Sequence, residues 1–146
     1  KLGQAAVDQL APYFPAMAQA WTKEATLPGG DFNNRDELQQ KLTVQYPWMS
    51  TNTLRRWVRA YGTHSQLILE EKSSINDLGI HFGHDLYQAE VDYLVDQEWA
   101  ISSDDILWRR SKLGLELSQH EVEQLTQYLS KETSLEKTPE KQAVIA

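Results

Sequence analysis

Apolar residues recur along this chain at helical spacing, in short runs bounded by proline, glycine or capping residues. Leu54, Trp57, Val58 and Tyr61 fall at i, i+3, i+4 and i+7 between the cap candidates Ser50 to Asn52 and a terminating Gly62, the clearest amphipathic helix in the chain. Upstream, Asn33 or Asn34 can cap a helix with Asp36 and Glu37 in its first turn and Leu38 and Leu42 on one face, closed by Pro47. Leu2, Ala6 and Leu10 form a weaker stripe broken by Pro12 and Pro15, and Leu27-Pro28-Gly29-Gly30-Asp31 predicts a tight loop.

Downstream of Gly62, a short apolar segment at Leu67 to Leu69 leads through loops to a helix starting near Leu86. There Tyr87, Val91, Leu94 and Glu98 share one face. Ser102 or Ser103 can cap the next helix, with Asp104 and Asp105 at its positive end and the stripe Ile106, Arg110 and Leu113. Ser118 and Glu121 form a capping box ahead of Val122, Leu125 and Leu129. The pattern predicts an all-α fold: a compact single-domain bundle of about five to seven helices with short irregular connectors. From Lys131 the stripe ends, which predicts a frayed or disordered tail over 131–146.

Composition sharpens this picture in three respects. A length of 146 residues with 40% hydrophobic content and five Trp is that of a folded domain with a real core. A net charge of -7 argues against a general nucleic-acid binder. The absence of cysteine excludes disulfides, thiolate metal sites and cysteine nucleophiles. No apolar run reaches the length of a spanning helix. The chain starts at Lys1 and enters a helical pattern directly, as expected of a piece of a longer polypeptide whose targeting signals lie elsewhere.

Charged residues inside apolar stripes are the candidates for chemistry. Glu98 and Arg110 each sit among apolar positions of consecutive helices, which predicts a structural ion pair across their joint, with Glu90 as the alternative acid. The competing role for Arg110 is substrate binding. Arg109, one residue off the stripe, is placed to meet Asp105 one turn back or another domain. Arg55, Arg56 and Arg59 lie mainly on the polar side of the helix ending at Gly62. They read as a solvated face or as a contact for an anionic membrane surface or a neighbouring domain.

His81-Phe82-Gly83-His84-Asp85 has a spacing compatible with zinc but no third ligand, and reads better as a loop leading into a helix. Gly29 and Gly30 could present amides to an anion, although a plain turn fits them better. No dinucleotide, P-loop, zincin or nucleophile-elbow motif occurs. Periodicity and composition therefore give a helical domain without a visible catalytic, cofactor-binding or metal site.

Five segments in order carry a resemblance. They are Leu27-Pro28-Gly29-Gly30-Asp31-Phe32, Asp77-Leu78-Gly79 with His81-Phe82-Gly83, Leu86 to Val91, Glu98-Trp99-Ala100, and Asp105 to Leu115. Together they resemble the C-terminal domain of aerobic, FAD-dependent glycerol-3-phosphate dehydrogenase, over nearly all of the chain to about Leu129. The resemblance implies a full-length enzyme that oxidises sn-glycerol 3-phosphate to dihydroxyacetone phosphate on FAD and passes electrons to quinone, as a cytoplasmic protein peripheral to the inner membrane.

It implies that flavin and substrate residues belong to a preceding domain, which becomes the main partner of this one. The chain would then divide into a connecting helix and linker at 1–25, a non-catalytic cap or accessory domain at 26–130, and the tail. Ser111, where Thr is expected, and His84, where a small residue is expected, are modest departures. The alternative from another class is a free-standing helical module binding an acidic partner.

Overall fold

The computed structural model describes residues 2–136, with side chains through residue 131. Six α-helices succeed one another: α1 (Leu2–Asp8), α2 (Arg35–Gln45), α3 (Thr51–Tyr61), α4 (Ser65–Leu69), α5 (Gln88–Glu98) and α6 (Gln119–Glu136). Short 3-10 turns and one π-helical segment, Asp105–Arg110, join them. The helical architecture expected from periodicity holds. Its one addition is a two-stranded antiparallel ribbon of β1 (His81–Gly83) and β2 (Leu86–Tyr87). The ribbon covers the His-x-x-His segment that periodicity leaves as a loop.

Local chemistry explains the element starts. Asn34 caps α2, its Oδ1 accepting from the amides of Asp36 at 2.8 Å and Glu37 at 3.4 Å. Ser118 and Glu121 make the expected capping box at α6, with the Ser118 amide donating to Glu121 Oε2 at 2.6 Å. Ser102 and Asp105 do the same ahead of the π-helical segment.

The core sits where the stripes converge. Leu38 and Leu42 of α2, Leu54, Trp57, Val58 and Tyr61 of α3, Val91 and Leu94 of α5, and Leu125 and Leu129 of α6 are buried in one cluster with Ile106, Leu107 and Leu113. Burying each such side chain contributes about 1.5–3 kcal/mol. None of residues 2–28 is buried, and α1 contributes nothing to the core. α6 continues to Glu136, past the Lys131 at which loss of the stripe predicts fraying. The remainder of that predicted tail, 137–146, lies outside the described residues.

Two glycines lock a loop onto the end of α3. Gly29 and Gly62 both have positive φ, 73° and 58°, and a Cβ on Gly62 would come within 1.8 Å of the Gly29 carbonyl oxygen. The Thr63 amide donates to that carbonyl at 2.9 Å. The Pro-Gly-Gly loop is thus fastened to α3 by backbone contact.

Candidate functional site

Glu90 lies in the first turn of α5, where a helix favours an acid, and is fully buried. Its carboxylate is met by a guanidinium fork from α3: Arg56 Nη1 to Oε1 at 2.5 Å and Nη2 to Oε2 at 2.7 Å. Tyr61, also on α3, donates its phenol to Oε1 at 2.5 Å, and Arg56 Nη2 gives a further bond to the Asp85 carbonyl at 2.8 Å. The Arg56 guanidinium therefore ties α3 both to α5, through Glu90, and to the turn of the ribbon, through the Asp85 carbonyl. Burial opposes the charge on Arg56, but the hydrogen bonds and field of Glu90 outweigh it and hold its pKa above the ordinary arginine value. Burial, followed by the adjacent carboxylate, pushes the Tyr61 phenol far up, so it remains a donor.

A second polar layer surrounds this junction. Tyr61 packs against Tyr93 with centroids 5.2 Å apart, and Tyr93 Oη lies 3.1 Å from His64 Nδ1. Thr63, beside the locked loop, donates to Asp31, and that bond leads the causes that lower the Asp31 pKa. On α3, Thr53 Oγ1, Arg56 Nε and Trp57 Nε1 are buried without a hydrogen-bond partner among the described residues.

Arg56 thus departs from its predicted place on the polar face. It stands at the edge of the stripe, beside Thr53 and Trp57, and its long side chain reaches inward to α5. Arg55 and Arg59 remain exposed. They line a groove of about 690 Å³ with Arg56, Asn52, Arg35, Asp36, Gln39, His84 and Asp85, so its walls are α2, α3 and the ribbon turn.

The expected Glu98–Arg110 carboxylate pair is corrected. Arg110 does reach Glu98, but its Nη2 donates to the backbone carbonyl, while its nearest carboxylate is Asp105 at 4.0 Å. The reason is the π-helix: the Ser111 amide bonds to the Ile106 carbonyl at 2.8 Å, one residue further back than in an α-helix, so α-helical phase fails there. The Glu98 carboxylate instead acts on the Tyr93 phenol, which burial first and Glu98 next push up. Glu90, the alternative acid, is the buried one, paired with Arg56. Arg109 meets Asp105 at 2.5 Å on the surface. Hydrogen bonds from Ser102 and the Ile101 amide, with Arg109 adding to them, lower the Asp105 pKa from 3.8 to about 2.

His81 Nε2 contacts the His84 carbonyl at 2.6 Å and its ring packs on Tyr87; no group of three or more His, Asp or Glu is placed to hold a metal among the described residues. The described strands form only an antiparallel ribbon, and the Gly29 position is closed by the Tyr61 carbonyl, 2.2 Å from where a Cβ would stand.

The class these features define is a small helical domain organised around one buried ion pair. Residues 20–138 match the family model described as the C-terminal domain of alpha-glycerophosphate oxidase, and the chain belongs to that family. It is 41% identical over 130 residues to aerobic glycerol-3-phosphate dehydrogenase of Escherichia coli (strain K12), covering 88% of this chain and 26% of that protein. It is 44% identical over 133 residues to a glycerol-3-phosphate dehydrogenase of Pseudomonas aeruginosa, covering 90% and 26%. A D-erythritol 1-phosphate dehydrogenase of Brucella abortus (strain 2308) is 37% identical over 123 residues, covering 83% and 24%. The chain therefore spans about a quarter of the length of the curated relatives it matches. Among the described residues, no helix is long and apolar enough to cross a membrane.

Proposed function

We propose that this chain is the non-catalytic C-terminal domain of an FAD-dependent glycerol-3-phosphate dehydrogenase, which oxidises sn-glycerol 3-phosphate to dihydroxyacetone phosphate and delivers electrons to membrane quinone. The observation that carries the reading is the family match across 20–138. FAD and substrate then belong to a preceding domain, and the enzyme works as a peripheral protein at the cytoplasmic face of the inner membrane.

The face turned to that domain is marked by cost. Trp99 ends α5 at φ 56°, a left-handed position that glycine usually takes, with the Ala100 amide closing on the Leu94 carbonyl at 3.0 Å. A bulky residue there stores about 1–3 kcal/mol of strain, yet Trp99 is 85% exposed, near Ile101 at 83% in the same loop. Docking against the catalytic domain gives such side chains a use, with Arg109 of the following segment as a polar contact.

The test compares the 146-residue chain with the whole polypeptide. The whole protein is expected to be yellow and to reduce a dye with glycerol 3-phosphate. The chain alone is expected to be colourless and inactive, and a yellow, active 146-residue preparation would overturn the division of labour.

A further inference from the structure

The groove between α2, α3 and the ribbon turn has a composition that the buried ion pair does not require. Arg35, Arg55, Arg56 and Arg59, four of the six arginines in the chain, line it, so the positive charge of a chain with net charge -7 is gathered in one concavity. Arg56 is committed to Glu90. Arg35, Arg55 and Arg59 are exposed and enter no ion pair among the described residues. Arg55 and Arg59, four residues apart, lie on one face of α3, and Arg35 stands on the facing wall at the start of α2. Guanidinium groups spread over two walls suit carboxylates spread along a chain. The side-chain amides of Asn52 and Gln39, each a donor and an acceptor, match the N–H and C=O groups of an extended backbone. Asp36 and Asp85 in the same lining oppose a compact anion of high charge more than they oppose carboxylates held apart.

Magnitude decides where such a segment comes from. Exposed ion pairs each contribute little, so three of them hold a freely diffusing partner poorly. A segment of the same polypeptide is already present at an effective concentration on the order of millimolar, at which weak pairs suffice. The α2 wall begins at Arg35, shortly after the loop that Gly29 and Gly62 fasten to α3, so chain preceding the domain arrives beside the groove. This chain spans 26% of its Escherichia coli relative and matches a C-terminal family model, which leaves most of such a polypeptide to supply the segment. We infer that the groove docks an acidic segment, with spaced carboxylates, of the polypeptide that precedes this domain. The groove includes the ribbon turn before α5, whereas the Trp99 loop follows the far end of that helix, so this polar contact is separate from the apolar one at Trp99 and Ile101. It rests on the reading of the chain as a C-terminal domain, not on the reaction assigned to the whole polypeptide.

Arginine footprinting with phenylglyoxal, read by mass spectrometry, compares the 146-residue chain with the whole polypeptide. Arg35, Arg55 and Arg59 are expected to react at least about tenfold more slowly in the whole polypeptide, with the protection lost at about 1 M salt. Arg55→Lys and Arg59→Lys, at exposed positions, keep the charge and place an amine in the groove. Carbodiimide treatment of these variants is expected to join that amine to Asp or Glu side chains upstream of Lys1 in the same molecule. Lys131, exposed on α6 outside the groove, is expected not to join to them. Equal arginine reactivity in the two proteins overturns the inference. So do cross-links that stay within residues 1–146, cross-links between copies in a mixture of isotopically labelled and unlabelled protein, or protection that arises only with anionic vesicles. Flavin colour and dye reduction are scored on the same whole-protein preparation, so a failure of the assigned reaction is told apart from a failure of docking.

Discussion

Arg55-Arg56 on α3 and Arg109-Arg110 on the π-helical segment are the same dipeptide in two environments. Arg56 leaves 19% of its side chain in solvent and grips a carboxylate that leaves none. Arg109 leaves 67% exposed and pairs with an aspartate of its own turn, while Arg110 caps a backbone carbonyl. The difference lies in what the neighbouring element delivers. α5 presents Glu90 to α3 from inside the core; near the π-helical segment, α5 presents only its last carbonyls. A buried acid on another helix draws Arg56 inward, a backbone carbonyl draws in Arg110, and Arg109, offered only an aspartate of its own turn, stays at the surface.

Removing the acid from the buried pair is the harshest way to break this contrast. Glu90→Ala strands a buried guanidinium and a buried phenol donor, and is expected to cost about 3–5 kcal/mol in chemical denaturation. The double replacement Arg56→Met with Glu90→Leu should cost less than the two single losses summed, because neither charge is left alone. Additive losses would show that the pair is not coupled.

The Arg110 contact is the intermediate case. Arg110→Ala is expected to cost about 1.5 kcal/mol, the value of a charge-assisted bond to a carbonyl. Since that carbonyl belongs to the backbone of residue 98, Glu98→Ala should leave the Arg110 contribution intact, with a coupling below about 0.5 kcal/mol in a double-mutant cycle. A coupling of several times that size would restore the carboxylate pair expected from helical phase.

Acid titration reads the smallest effect. Asp105 has a folded pKa of about 2 against an ordinary 3.8. Its stabilisation is therefore present above pH about 4 and fades as pH falls through about 2. Asp105→Asn is expected to flatten the fall in melting temperature between those limits. Arg56, whose pKa is raised, stays charged throughout and contributes no slope there. An unchanged acid limb in the variant would remove Asp105 from the account.

The stripes in α2, α3 and α6, the Asn34 cap and the Ser118–Glu121 box were readable because they depend on residues within one or two turns of each other. Glu90 left a trace as well: Glu90, Tyr93 and Leu94 are spaced i, i+3 and i+4 on α5, and all three are buried. The stripe through Tyr87, Val91 and Leu94 overshadowed it, although Tyr87 belongs to the ribbon and is only half-buried. The groove was half visible, as three arginines on α3. Arg35 and the ribbon turn, its other walls, are distant in sequence and left no local signal.

What the sequence by itself determined is the apolar stripes of α2, α3 and α6, the caps of α2 and α6, and the family to which the chain belongs, all written in short-range patterns of residue type. Which charges pair, and which remain free to bind, was decided only by the tertiary structure. Ion pairing depends on the distance and burial that one helix imposes on another, and a single π-helical turn between Asp105 and Arg110 is enough to change the partner that helical phase alone would choose.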